Sequence, residues 1–335
     1  MKPFLGFWGQ LKKPFFVLAP LANVTDAVFR KHIIRYSKPA VLWTEFVSAD
    51  GLCHPKGRAA LIRDLRYSEE ERPIVAQLFT AHPENMREAA KLVTELGFDG
   101  IDINMGCPDK NVMRQGAGAA CMKDPELAQQ LIFAAREGSL AAGKELPISV
   151  KTRLGFNEDT LEEWLPKLLE AQPAVITLHA RTKKDMSKVP ARWERVQRAV
   201  EIAAGSGTLI FGNGDVQDIT DAEQKVRETG VDGVMLGRAI FGNPWLFDKN
   251  NQVTVREKLL AAVEHTKLFE ETWQDTKSFE LMKKHYQAYI NHFPKAKELR
   301  VELMSCHSAR EVEKIIERFL GDHADLAKKY STIQI

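Results

Sequence analysis

The 335-residue chain lacks most of the features that narrow a protein's class at a glance. It has four cysteines, Cys53, Cys107, Cys121 and Cys306, with no Cys-x-x-Cys pair and no Cys/His cluster at zinc spacing. So few thiols in so long a chain argue against a disulfide framework and an oxidising compartment. No run reaches the roughly 18 apolar residues of a membrane span. The opening residues MKPFLGFWGQ carry too short an apolar stretch for a secretory leader, and no small-residue cleavage site. A cytoplasmic setting is expected. Internal repeats and low-complexity stretches are missing too. So is charge of one sign: the formal net charge is only +2. A polyanionic partner must therefore be held by a local basic patch, not by the field of the whole molecule.

What is present fits an ordinary folded chain, 44% hydrophobic and 27% charged, which excludes disorder. The length permits one large domain of about 200–250 residues and a smaller one. Eight short apolar, β-branched runs recur: FFVLAP from Phe15, AVLWTEF from Ala40, PIVAQLF from Pro73, GIDINMG from Gly100, PISVKTR from Pro147, AVITLHA from Ala174, TLIFGNG from Thr208 and GVMLGRA from Gly233. Continuous runs of this kind suit strands buried on both faces. Helical patterns lie between them, at 82–96, from Asp124-Pro125-Glu126 onward, and at 161–171, 193–204 and 219–229. The alternation predicts a (β/α)8 barrel, or TIM barrel, over residues 1–250. Strand count alone leaves a doubly wound open sheet as its rival. Beyond Phe247 the strand-like runs stop, and amphipathic patterns at 255–273, 279–293 and 309–320 predict a smaller C-terminal all-α domain over 251–335. A monomer is expected, with no structural metal.

The predicted strands end in polar residues: Glu45, Gln77, Asn104, Lys151 and Arg153, His179 and Arg181, Asn213-Gly214-Asp215, and Gly237-Arg238. Buried polar groups are costly without a purpose, and a barrel carries its chemistry at the C-terminal ends of its strands. The ends of strands seven and eight are the usual phosphate site of such barrels, so a phosphorylated ligand is expected there. A lone cysteine is most often a small core residue, the reading taken for Cys53, Cys121 and Cys306. Cys107 differs, because it sits at a strand end in Asn104-Met105-Gly106-Cys107-Pro108. In the tail, residues 281–300 hold Lys283, Lys284, Lys295, Lys297 and Arg300 against Glu298, with His285, Tyr286, Tyr289 and His292 among them. That mixture suits phosphates and stacked bases.

Several stretches together resemble the tRNA-dihydrouridine synthases over about residues 15–305. They are Leu18-Ala19-Pro20-Leu21 with Val24-Thr25-Asp26, Thr44-Glu45-Phe46, Ala76-Gln77-Leu78, Asp102-Ile103-Asn104-Met105-Gly106-Cys107-Pro108 with Gly116-Ala117-Gly118, Val150-Lys151-Thr152-Arg153, Leu178-His179-Ala180-Arg181, Gly212-Asn213-Gly214-Asp215 and Gly237-Arg238. Asn23 departs from the pattern, standing where glycine is common. The resemblance implies an FMN-binding barrel, a helical tRNA-binding domain, and reduction of the C5=C6 bond of a tRNA uridine with NADPH as electron donor. It implies that Pro20, Leu21, Ala22, Gln77, Lys151, His179, Asn213, Gly214, Asp215, Gly237 and Arg238 hold FMN. It gives Cys107 the proton-donor role, and Asn104 and Arg181 contacts to the uracil. Lys283, Lys284 and Arg300 are the expected tRNA contacts of the tail. The alternative substrate class is a free pyrimidine, as in other barrel flavoenzymes, for which the basic tail has no use.

Overall fold

The computed structural model describes residues 2–250 and 252–327; Asn251 and residues 328–335, part of the expected helical segment, lie outside the described residues. Eight strands alternate with helices: β1 (Phe15–Leu18), β2 (Leu42–Ser48), β3 (Ile74–Phe79), β4 (Gly100–Asn104), β5 (Ile148–Arg153), β6 (Val175–His179), β7 (Leu209–Asn213) and β8 (Gly233–Leu236). Every ladder is parallel, in the order β1-β8-β7-β6-β5-β4-β3-β2. The last gap is spanned just before β2, where Ala40 N donates to Phe16 O at 2.9 Å. Strands pair in unbroken chain order and the first meets the last, Val17 opposite Met235. A doubly wound sheet would reverse its order at a switch point. The fold is the (β/α)8 barrel.

Strand alternation decides which side chains enter the barrel. At the strand starts they are apolar: Phe15, Val17, Trp43, Val75, Val175, Leu209 and Phe211 form one cluster with Trp8. Trp8 belongs to a short 3-10 helix, Gly6–Gln10. Its ring lies edge-on to Phe211 at 5.3 Å and to Phe15 at 5.5 Å, so the N-terminal end of the barrel is packed shut. Burial of such a side chain contributes about 1.5–3 kcal/mol. Two residues further along, the same faces turn polar, from Val75 to Gln77, from Val175 to Thr177 and from Phe211 to Asn213. Any site is thereby confined to the other end.

The surrounding helices start where the sequence signals them. Asp124 Oδ1 accepts Leu127 N at 3.0 Å, and Pro125 opens the helix Pro125–Ala141. Pro83 likewise opens Pro83–Glu95. Helices Ala27–Tyr36, Ala49–Cys53 and Pro55–Leu61 were not among the expected elements.

The chain divides into two compact units. One holds the barrel strands. The other runs from Arg238 onward and takes in Val28–Lys38 and Gln217–Ile219. Its long helix Val255–Trp273 starts at a reciprocal capping box between Thr254 and Glu257. Ala309–Asp322 is capped by Ser308. The helix expected over 279–293 is instead a 3-10 turn, Phe279–Met282, followed by the helix Lys283–Tyr289. The helix ends at its cap, Ile290, whose φ −99° and ψ 75° lie outside the helical region. His292 and Lys295 turn the chain with positive φ, and a further helix, Ala296–Leu303, follows. Among the described residues no helix is long and apolar enough to cross a membrane.

Candidate active site

The best-held feature of the barrel's C-terminal end is the loop carrying Cys107. Asn104, at the end of β4, accepts two backbone N–H groups on its Oδ1, from Gly106 at 3.2 Å and Cys107 at 2.9 Å. Asn104 Nδ2 donates to Gln77 Oε1 at 3.0 Å, and Gln77 Nε2 donates to Asp102 Oδ2 at 2.6 Å. The other oxygen of Asp102 accepts from Ser149 Oγ at 2.6 Å. From β5, Arg153 Nε donates to Gly106 O at 2.7 Å, and its Nη1 to Thr182 O at 3.2 Å. On the far side Ala119 N donates to Cys107 O at 2.9 Å. Gly118 permits that approach. Its φ is +61°, and a Cβ there would come within 2.8 Å of Cys107 O and of Val112 Cγ1. Cys107 ends half-buried, and burial pushes its thiol above the ordinary value, so it stays protonated at neutral pH.

Lys151 stands opposite Asn104 in the β4–β5 register. Its Nζ lies 3.4 Å from Asn213 Oδ1, and Asn213 Nδ2 donates across to Met235 O at 2.7 Å. Burial, with Arg153 adding to it, lowers the ammonium of Lys151 to about 8. Burial also lowers Arg153 to about 10 and raises Asp102 to about 6. The barrel end is thus rich in desolvated cations.

Two residues after β6, Arg181 is only 2% exposed. It donates through Nε to Val189 O at 2.6 Å, sits 3.3 Å from His179 Nε2, and pairs with Asp215. Asp215 also accepts Ala191 N at 2.9 Å. Between them Gly214 takes φ +128°, and a Cβ there would fall 2.9 Å from Ala191 Cβ. After β1, Leu21 N donates to Thr25 Oγ1 at 2.9 Å, and Asn23 N donates to Glu45. Asn23 has φ 57°, a left-handed conformation that asparagine tolerates, which accounts for a non-glycine residue there.

One connected set of strand ends therefore carries Gln77, Asn104, Cys107, Lys151 and Asn213, and a second carries His179, Arg181, Gly214 and Asp215. Gln77 is fully buried, its Oε1 accepting from Asn104 and its Nε2 donating to Asp102. Arg181 engages His179, Asp215 and a carbonyl, contacts that hold its guanidinium in place. Arg238 is exposed and opens the short 3-10 helix Arg238–Ile240. In the helical unit, Lys283 pairs with Glu280 at 2.6 Å, one residue outside the stretch read as basic, and Arg300 Nη1 donates to Ile290 O at 2.6 Å. Stacking on bases is closed to His285, Tyr286 and Tyr289, which are buried. Cys121 and Cys306 are buried as expected, whereas Cys53 is half-buried, its Sγ 3.5 Å from Asn85 O. Asp102 and Ser149 were overlooked as site residues, and Arg153, read as a polar strand end two residues after Lys151, was given no role.

A family model described as dihydrouridine synthase (Dus) matches residues 17–324. The chain belongs to the dihydrouridine synthase family. It is 36% identical over 318 residues to a Staphylococcus aureus (strain COL) protein named "Probable tRNA-dihydrouridine synthase", covering 93% of this chain and 95% of that one. It is 37% identical over 324 residues to "Probable tRNA-dihydrouridine synthase 2" of Bacillus subtilis (strain 168), covering 95% and 98%. The family resemblance read from the Asp102 to Pro108 stretch and its companions is borne out. Among solved structures, a 2-naphthoyl-CoA reductase in complex with 2-naphthoyl-CoA matches with a TM-score of 0.50 at 10% identity. The match covers 71% of this chain and about half of the other, 51%, and it concerns the fold alone.

Proposed function

We propose that this chain reduces the C5=C6 bond of uridine in tRNA to dihydrouridine, with FMN as its cofactor, NADPH as electron donor and Cys107 as the acid. The observation that carries the reading is Cys107 itself, a protonated thiol on a loop held from three neighbouring strands and turns.

The residues present suit FMN. The hydrogen-bond partner of Lys151 is a carboxamide, Asn213 at 3.4 Å, so a cation stands ready for negative charge. A Cβ added at Gly237 would have Ala19 Cβ, at 3.8 Å, as its first neighbour, which leaves room for a ligand beside the strand end. Pro20, Leu21, Ala22, Lys151, His179, Gly214, Gly237 and Arg238 would hold the cofactor, with Gln77, Asn213 and Asp215 bracing them from behind. Bound FMN would supply the hydride for uracil C6. The Cys107 thiol gives its proton to C5, where charge builds up once C6 is reduced. Lys151 stabilises negative charge from a fixed position at low dielectric. Asn104 keeps one amide N–H beyond its bond to Gln77 and would contact the uracil. The uridine has to leave its stack to reach these groups. The helical domain grips the tRNA, with the exposed Lys295 and Lys297 joining Lys284. The protein acts in the cytoplasm, as a monomer.

Cys107→Ala tests the assignment. It should bind FMN and accept electrons from NADPH like the wild type, yet form dihydrouridine about 10²–10⁴-fold more slowly. Unimpaired product formation by Cys107→Ala would remove the thiol from the mechanism.

A further inference from the structure

The hydrogen bonds beneath Cys107 all run one way, and the direction is imposed from both ends. A carboxylate can only accept, and a backbone N–H can only donate. Two carboxamides lie between them. Only one orientation of each satisfies the whole chain: Asp102 accepts from Gln77, Gln77 from Asn104, and Asn104 from the N–H groups of Gly106 and Cys107. Turning either amide over would set acceptor against acceptor at one end and donor against donor at the other. Asp102, Gln77 and Asn104 are at most 7% exposed, so water offers little alternative. The β3–β4 register puts Gln77 directly opposite Asp102.

We propose that Asp102 is a positioning residue, whose acceptor oxygen fixes the polarity of the Gln77–Asn104 chain and through it the placement of the Cys107 loop. The proposal rests on the reading of Cys107 as the acid. A thiol must lie in line with C5 to protonate it, and a misplacement of about 1 Å costs on the order of 10²-fold in rate.

The role belongs to the acceptor, not to the charge, and this separates three variants. Asp102→Asn keeps an oxygen for Gln77, while its amino group donates to Ser149 Oγ. Ser149 can then turn its own proton to Ile101 O, already 3.3 Å away. Asp102→Leu removes the acceptor. Gln77→Met cuts the chain but leaves the pairing of Asp102 with Ser149 intact. On FMN-loaded protein two quantities are measured: kcat and KM for dihydrouridine formation on tRNA, and the rate at which iodoacetamide alkylates Cys107, followed on its peptide by mass spectrometry. Asp102→Leu and Gln77→Met should lose about 10²-fold in kcat with KM for tRNA unchanged, and should expose Cys107 to faster alkylation. The double variant should be no worse than the worse single. Asp102→Asn should match the wild type in both readouts. If Asp102→Leu does not fold, Gln77→Met carries the test. Asp102→Asn as impaired as Asp102→Leu, or a folded Gln77→Met with wild-type kcat and alkylation rate, overturns the proposal. Absence of dihydrouridine with the wild type would instead overturn the functional reading, and the alkylation rates would still decide the positioning role.

Discussion

Lys151 is charged at a point where little offsets the charge. Burial brings its ammonium from the ordinary 10.5 down to about 8, with Arg153 pushing the same way and Asp102 opposing. Below about 8 the folded chain carries the full cost of the buried cation. Between about 8 and 10.5 the folded chain releases the proton while the unfolded chain keeps it, so stability rises with pH across that window. In flavin-free protein, Lys151→Met should therefore raise the urea midpoint at pH 7, and its advantage should shrink as pH passes from 8 toward 10.5. Retention of FMN by the wild type should weaken over the same range, as the cation is lost. A stability gap that does not change with pH would show that Lys151 is not desolvated. In the proposed reading the position sacrifices stability to keep a cation where the cofactor's negative charge would be held.

At the scale of elements, the site depends on turns that only particular residues allow. Gly118→Ala would force a side chain into φ +61° and against Cys107 O and Val112. Strain of this kind costs about 1–3 kcal/mol. Urea unfolding should register that loss, and turnover should fall further than stability does, because the displaced segment carries Cys107. A variant as stable and active as the wild type would contradict the close packing under the loop. The eight strands were legible in the sequence because strands buried on both faces read as unbroken apolar runs. Their polar last residues were legible for the same reason, each interrupting such a run. Helix Ala27–Tyr36 was not, because its cationic residues blur the apolar spacing. Trp8 was not either, because a residue plugging a barrel from outside the strands leaves no periodic trace. The hydrogen-bond partners of Asp102, Gln77 and Asn104 come from separate strands, so their chain exists only once the β3–β4–β5 register is known.

At the scale of the whole molecule, a net charge of +2 gives tRNA no general attraction. Binding has to come from local cations. Of those read from the sequence, Lys283 pairs with Glu280 and Arg300 donates to a backbone carbonyl, so both are partly engaged within the protein. Three aromatic members of the 281–300 stretch, His285, Tyr286 and Tyr289, went instead into a buried cluster, while His292 is exposed. There the His265 ring lies 4.8 Å from His32 and 4.7 Å from His285, and Phe29 lies 5.4 Å from His285. Burial, with the neighbouring His265 adding to it, lowers both His32 and His285 well below the ordinary histidine value, so these two rings are neutral at physiological pH. Spacing along a short helix does not say which face is covered, and here the covered face was the aromatic one.

The most direct test of the account is to incubate purified, FMN-loaded protein and NADPH with unmodified tRNA, and in parallel with free uridine, and to quantify dihydrouridine by mass spectrometry. The account predicts dihydrouridine in the tRNA and none from free uridine. Reduction of free uridine as fast as of tRNA, or no dihydrouridine in tRNA from a flavin-loaded protein that NADPH reduces, would contradict it.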